Sequence, residues 1–241
     1  LAFAGGIQAS FLPERVPVVD GWSIDASLTP ARQTSGDFYD FIPLGDGKLG
    51  LVVADVADKG TGAALYMALS RTLIRTYAMQ YPEKPDEALR LANERILADT
   101  RANQFVTVFY AVLNLTTGKM SYCNAGHNPA FVFRAMNSDS PESFIRTGAP
   151  MGIFGDLEWE VGTARIDPGD TLLLYTDGIN EAQNIDEQFF GYERLLEVTR
   201  SKLHQNAADM HAAIIDSVQT FVGSAPQFDD ITLMVLKRDS I

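Results

Sequence analysis

The sequence predicts an α+β fold: a four-layer α-β-β-α sandwich of two antiparallel sheets flanked by helix pairs. Two observations carry that expectation. Apolar runs of period two and apolar stripes of period 3.6 come in blocks: strands, two helices, strands, two helices, strand. That order suits antiparallel sheets packed face to face with helices outside better than a regularly alternating parallel sheet. No Ser/Gly/Pro linker divides the 241 residues, a length within the range of one large domain.

Taken in order, residues 1–12 are mildly apolar and end at Phe11-Leu12-Pro13, the pattern of an incoming helix stopped by proline. The start Leu1-Ala2-Phe3-Ala4 lacks a Met and a basic n-region, so it is not read as a signal peptide. The expectation is the end of a linker helix over 1–12, arriving from a missing upstream region, and one domain over 13–241. Trp22 to Leu28 alternates as a half-buried strand. Phe38 to Leu44 and Lys48 to Asp55 follow, joined by Gly45-Asp46-Gly47 as a hairpin.

From Thr61 the spacing turns helical. Leu65, Leu69 and Leu73 recur every four residues, and Ala64, Ala68 and Ile74 widen the stripe to Tyr77. Pro82 and Pro85 break the chain, and a second helix from Asp86 presents Leu89, Ala92 and Ile96. Phe105 to Leu115 and Met120 to Asn124 form a hairpin, and a turn through Pro129 leads to a strand over Ala130 to Arg134. Residues 135–160 read as a surface loop, with a polar cluster from Asn137 to Pro141. Val161 to Ile166 and Thr171 to Thr176 are strands linked by Asp167-Pro168-Gly169-Asp170. Two helical patterns then appear, on Tyr192, Leu195, Leu196 and Thr199 and on Met210, Ile214, Val218 and Phe221, before a last strand over Ile231 to Leu236.

Hydrophobic residues make up 46% and charged residues 21%, which places the chain among soluble globular proteins. The longest apolar runs are strand-sized, too short to span a membrane. A net charge of -12 argues against nucleic acid as a partner, since phosphate backbones require a basic footprint. The one cysteine, Cys123, lies in a strand pattern and reads as a buried small hydrophobe in a reducing, cytoplasmic compartment.

Acidic residues gather where strands begin and end. Ser35-Gly36-Asp37-Phe38-Tyr39-Asp40 and Asp55-Val56-Ala57-Asp58-Lys59-Gly60 lie close in sequence, and Thr176-Asp177-Gly178 and Asp229-Asp230 echo them downstream. Carboxylates at strand ends suit Mg²⁺ or Mn²⁺, which take oxygen ligands. Two such cations about 3.5–4 Å apart clamp a phosphoryl group and acidify bound water. The plainer reading is that each Asp forms a turn or caps a helix, and Asp46, Asp156, Asp167 and Asp170 keep that reading.

These stretches, with Asn124-Ala125-Gly126-His127-Asn128-Pro129, Tyr175-Thr176-Asp177-Gly178-Ile179-Asn180-Glu181-Ala182, Phe190-Gly191 and Asp229-Asp230-Ile231-Thr232, resemble the SpoIIE-like branch of the PPM (type 2C) metal-dependent protein serine/threonine phosphatases. The likeness runs in order from about Ile7 to Leu236. It implies the α-β-β-α sandwich and hydrolysis of phosphoserine or phosphothreonine on a protein by metal-activated water, with two Mn²⁺ or Mg²⁺ ions. It implies Asp55 as the ligand bridging both ions, the Val56 carbonyl as a further ligand, Asp37 on one ion, and Asp177 and Asp229 on the other, with Asp230 the alternative to Asp229. By the same likeness the substrate is a STAS-type anti-sigma-factor antagonist, an upstream sensor or receiver domain supplies the signal, and the N-terminal helix mediates a homodimer. In such relatives the two helices after the second acidic stretch act as a regulatory switch.

Some positions depart from the pattern or stay open. The branch usually reads Asp-Val-Ser-Gly-Lys-Gly where this chain has Ala57-Asp58. Asp58 either favours cation binding or caps the following helix, the cap being preferred. Asp40 is either an acceptor behind a ligand or a solvated turn residue, the second preferred. His127 reads as a structural hydrogen-bonder before a catalytic acid, His204 and His211 read as helix-surface residues, and Arg32 and Lys59 are phosphate-binding candidates by proximity. Two rival readings remain: a hydrolase of small phosphate esters, and a catalytically silent binding module.

Overall fold

The computed structural model describes residues 2–101 and 103–240. Its elements run α1 (Ala2–Ala9), β1 (Trp22–Thr29), β2 (Phe38–Gly45), β3 (Lys48–Val56), α2 (Thr61–Gln80), α3 (Pro85–Asp99), β4 (Val106–Asn114), β5 (Lys119–Ala125), β6 (Ala130–Arg134) and β7 (Asn137–Phe144). They continue β8 (Gly162–Arg165), β9 (Thr171–Tyr175), α4 (Asp177–Asn180), α5 (Gly191–Ser201), α6 (Ala207–Val222) and β10 (Ile231–Arg238). The chain divides into two units, each with one five-stranded sheet. None of the described helices is long and apolar enough to cross a membrane.

The first unit comprises Leu1–Glu14, Arg32–Pro129 and Phe144–Arg165, and its sheet has the order β2-β3-β4-β5-β8. Its β2–β3, β3–β4, β4–β5 and β5–β8 pairs are all antiparallel. The β2–β3 turn has positive φ at both Asp46 (48°) and Gly47 (67°), the backbone that Asp-Gly hairpins adopt. Helices α2 and α3 cover one face. Phe38, Ile42, Val52, Ala54, Val108 and Tyr110 pack there with Met67, Ile74, Leu89 and Ile96.

Of the stripe predicted for α2, Ala64 and Ile74 are buried and Leu73 and Tyr77 pack on the core, but Leu65 falls outside it. Leu65 is 70% exposed, and the buried residues are Ala63, Ala64, Tyr66, Met67, Ser70, Ile74 and Ala78. At about 100° per residue, Leu65 stands roughly 200° around the helix from Met67. Two arginines described below also tie the helix to β2.

The second unit comprises Arg15–Ala31, Ala130–Ser143 and Ile166–Ile241, with strand order β1-β10-β9-β6-β7. Its helical layer packs Leu195, Met210, Ile214 and Val218 on Phe131, Phe133, Leu173, Tyr175, Leu233 and Val235. Asp170 organises one turn: its carboxylate accepts from the backbone N–H of Ala135 (2.9 Å) and Asp167 (3.0 Å) and from Arg134 (2.7 Å).

Two expectations fail in this unit. The loop predicted over 135–160 contains β7, which a polar run ending near Pro141 conceals. An edge strand needs neither apolar alternation nor a full set of N–H donors, so this composition is tolerated there. His211 is not a surface residue. It is buried against β1, 2.9 Å from Ser27 Oγ through Nε2 and 3.5 Å from Asp25 Oδ2 through Nδ1. Burial lowers its pKa below the ordinary value, and the Asp25 carboxylate opposes that shift.

Candidate metal centre

In the first unit the antiparallel register places the first two acidic stretches side by side. Phe38 pairs with Ala54, so Asp37 precedes β2 at the end of the pair where Asp55 continues β3. Asp37 is buried and Asp55 half-buried. Val56 N–H donates to the Gly36 carbonyl at 3.3 Å. A Cβ at Gly36 would stand 3.0 Å from the Val56 carbonyl oxygen and 3.5 Å from that of Asp58. Glycine at 36 therefore lets the first stretch lie against the backbone of the second. Ser35 secures the arrangement, its hydroxyl accepting from Asp37 N–H at 3.0 Å.

Behind Asp55 stands Thr107, its partner on β4, whose Oγ1 is 3.4 Å from the Asp55 carbonyl and 2.8 Å from His127 Nδ1. His127 is buried, and its N–H donates to Asn124 Oδ1 at 2.8 Å. Asn124 in turn donates to the Asn128 and Phe144 carbonyls, at 3.3 and 3.2 Å. The imidazole thus belongs to a hydrogen-bonded turn behind the strand.

Two preferred readings of acidic residues are overturned in this unit. Asp40 is no solvated turn residue. It lies on β2 with 1% exposure, and its carboxylate meets Arg71 at 3.0 Å and Arg75 at 2.9 Å, both from α2. Strand periodicity, which turns Asp40 to the same face as Phe38 and Ile42, was the available signal, together with two arginines four residues apart. Asp58 does not cap α2. Its Oδ1 accepts from Lys59 N–H at 2.8 Å, and Gly60 is the N-cap with no side-chain cap bond. Asp58 has φ +84°, a left-handed backbone where the family pattern has glycine and where Asp is one of the more tolerated side chains. Arg32 and Lys59 are exposed.

In the second unit β9 and β10 pair through Tyr175 and Leu233. Thr176 extends the link, donating its N–H to the Thr232 carbonyl (3.1 Å) and accepting from Thr232 N–H (3.0 Å). Asp177 follows at the first position of α4, whose four residues are too few to leave a periodic signal in the sequence. A Cβ at Gly178 would overlap the Asp230 carbonyl oxygen and stand 2.9 Å from its carbon. Here too a glycine beside an acid touches the backbone of the partner stretch.

The neighbouring acids differ. Asp230 is buried and its Oδ1 accepts from Ala31 N–H at 2.7 Å, which anchors the segment after β1. Asp229 is half-buried, with Oδ1 accepting from the next amide at 2.9 Å, and Gln227 holds its carbonyl at 2.7 Å. An apolar cleft of about 130 Å³ opens beside Gly178 and Asp229, lined by Ala182, Val218, Val222 and Phe228 among others.

The structure thus brings Asp37 to Asp55 and Val56 in one unit, and Asp177 to Asp229 and Asp230 in the other. Among the described residues no group of three or more His, Cys, Asp and Glu side chains is gathered as a metal site. The donors within each unit are carboxylate and carbonyl oxygens, a set that fits a hard divalent cation and not a thiolate- or imidazole-seeking one. Cys123 takes no part: it is fully buried, and burial pushes its thiol up to about 12.

Among curated proteins, the chain is 33% identical to Protein IcfG of Synechocystis sp. over 97% of its own length, and it spans 40% of that protein. It is 28% identical to the phosphoserine phosphatase RsbU of Bacillus subtilis over 99% of its length and 70% of RsbU. The solved SiaA-PP2C domain of Pseudomonas aeruginosa superposes with a TM-score of 0.86 at 20% identity, covering 99% of this chain and 95% of that one, and shows the fold to be that of a PP2C domain. The family model for Stage II sporulation protein E matches residues 45–239, and the chain belongs to the SpoIIE family.

Proposed function

We propose that the chain is a metal-dependent protein serine/threonine phosphatase domain that removes phosphate from phosphoserine or phosphothreonine. The observation that carries this reading is the paired close approach of Gly36 to the Val56 carbonyl and of Gly178 to the Asp230 carbonyl. In each unit it holds two acid-bearing stretches side by side, which independent turn formers do not require. Asp37, Asp55, Asp177 and Asp229, with the Val56 carbonyl, are the proposed ligands of two Mn²⁺ or Mg²⁺ ions, Asp55 serving both. Asp229 is preferred to Asp230, whose carboxylate anchors Ala31. Such ions, when bound, supply Lewis-acid activation of water and neutralise phosphoryl charge.

The protein's own part is to hold these oxygens. Ser35 and Gly36 fix Asp37, the β3–β4 pairing fixes Asp55, and the Thr176–Thr232 bonds fix Asp177. Ala57 offers no acid, so the proton for the leaving serine oxygen comes from water or another group. The name of RsbU, a phosphoserine phosphatase, supports the substrate class. The proposed substrate is a STAS-type anti-sigma-factor antagonist in the cytoplasm, with control from an upstream sensor or receiver domain and a homodimer through the N-terminal helix.

The test is Mn²⁺-stimulated phosphate release from a panel of phosphorylated antagonists. Asp37→Asn and Asp177→Asn each lower it at least about 100-fold, more than loss of an outer partner of a ligand costs. Undiminished turnover in either variant would refute the ligand assignment. Faster cleavage of small esters than of any phosphoprotein would refute the protein substrate.

A further inference from the structure

Helix α6 ends beside the second pair of acids, and a hollow is left where it ends. Val218 and Val222, one turn apart, share a side of the helix. Gly223 then takes the C-cap with φ +60°, and the chain turns back through Pro226, Gln227 and Phe228 to Asp229. The cleft so formed has a buried floor of Ala182, Val218 and Ile231, and Phe228, which also lines it, is 56% exposed. Gln227 holds the returning segment by donating to the Thr29 and Asp229 carbonyls, at 2.9 and 2.7 Å. Gly178 and Asp229 are themselves lining residues, so the hollow begins at the proposed ligands.

Size and chemistry restrict the occupant. At about 130 Å³ the cleft is well below the roughly 300–1,000 Å³ of pockets that take cofactors or drug-sized ligands, and it suits a single side chain. Its floor is aliphatic, so that side chain is apolar. An unfilled apolar hollow weakens a fold in proportion to its volume, and a larger residue in place of Ala182 would have closed this one. Glu181, exposed at the rim, turns away an acidic side chain by like charge. A polypeptide whose phosphorylated residue sits at Asp177 and Asp229 must pass this opening, because consecutive residues of an extended chain are only about 3.3 Å apart.

We propose that the cleft is a specificity pocket for the phosphoprotein: it takes one aliphatic side chain, of about leucine size, that flanks the phosphorylated residue. The inference rests on the reading of Asp177 and Asp229 as metal ligands. It adds that the substrate is selected by a residue beside the phosphate as well as by the phosphate. Ala182, Val218, Val222 and Phe228 set that choice away from the reacting atoms.

Phosphoserine peptides in an alanine background, with one leucine moved from two positions before the phosphoserine to two after it, test the pocket through Mn²⁺-dependent phosphate release. Leucine at one position raises kcat/KM about tenfold or more over alanine, the scale on which hydrophobic pockets separate hydrocarbon side chains, and does so through KM. Aspartate at that position falls below alanine. Ala182→Leu fills the cleft from its floor and brings the leucine peptide to within about twofold of the alanine one. Phe228→Ala, at an exposed position that the fold does not depend on, also weakens the preference. Both variants keep the parent's circular dichroism, its Mn²⁺ affinity and its turnover of p-nitrophenyl phosphate, which has no flanking residue.

A parent protein that cleaves all the peptides within about twofold of one another, while hydrolysing p-nitrophenyl phosphate with Mn²⁺, would overturn the inference and leave the ligand reading standing. A leucine preference that survives both substitutions would overturn it too. A parent that hydrolyses neither the peptides nor p-nitrophenyl phosphate would overturn both.

Discussion

Replacing Gly178 by alanine tests whether the two acidic stretches of the second unit must touch. The added methyl would overlap the Asp230 carbonyl oxygen and stand 2.9 Å from the Asp230 carbonyl carbon and 3.5 Å from that of Asp229. Carbons in ordinary contact keep about 3.5–4.0 Å, which alone asks for roughly 0.6–1.1 Å of opening, and the overlapped carbonyl oxygen asks for more. The obstacle is main chain, held by the Thr176–Thr232 bonds, so it does not swing aside like a side-chain tip. Overpacking of this kind costs about 1–3 kcal/mol, which for a chain of this size is a fall in Tm of roughly 2–12 °C. A displacement near 1 Å at a reacting centre lowers turnover by about 100-fold. Calorimetry and Mn²⁺-dependent phosphate release measure the two effects. Gly36→Ala is the internal comparison: its Cβ would be 3.0 Å from the Val56 oxygen, a gap that closes with a few tenths of an ångström of movement, so its effects are smaller. A Gly178→Ala protein with unchanged Tm and turnover, or one milder than Gly36→Ala, would refute the close-approach argument.

Three further outcomes are expected. Asp40→Asn, which leaves Arg71 and Arg75 facing a neutral partner, lowers stability by about 3–5 kcal/mol in urea unfolding, while joint replacement by Asp40→Leu, Arg71→Met and Arg75→Met restores most of it; an unchanged midpoint in Asp40→Asn would show that the ion pairs do not hold α2. The lowered pKa of His211 means that the fold favours the neutral ring: its contribution is complete above the ordinary value near 6.5 and is lost as pH falls through the lower folded value. Tm measured from pH 8 to 5 therefore falls more steeply in the parent than in His211→Gln, and parallel curves would contradict this. Cys123, buried with its thiol held protonated, reacts with a disulfide reagent only as fast as the protein unfolds; rapid labelling under native conditions would place it elsewhere.

Most strands and long helices were legible in the sequence because burial imposes a period. The Asp46-Gly47 hairpin and the run Ile231–Arg238 stand within two residues of expectation. What periodicity could not supply is orientation and partnership. The stripe predicted for α2 failed at Leu65, and Asp40 looked solvated because its arginines lie 31 and 35 residues away and carry no apolar signal. The acids of the candidate centre were visible as residues, whereas the contact of Gly178 with Asp230 and the grip of Gln8 on Ser35 exist only once distant segments meet. β7 escaped because an edge strand is released from the alternation that reveals central ones.

In α2 such contacts work together with periodicity near the acids. Hydrophobic burial keeps Tyr66, Met67 and Ile74 inside, and Leu65, roughly 200° around the helix from Met67, is the residue left out. The observed rotation leaves Leu65 exposed and buries Ser70 Oγ and Arg71 Nε without a hydrogen-bond partner among the described residues. Turning the helix would also strip two guanidinium groups from a carboxylate that is 1% exposed, leaving a buried charge unpaired. The ion pairs therefore reinforce the angle that apolar packing of the helix already favours. Since α2 starts at Thr61, directly after the stretch from Asp55 to Gly60, the same two arginines fix where that stretch must end. Asp40 lies three residues after Asp37, and Gln8 bonds Ser35 two residues before it, so polar contacts flank Asp37 on both sides.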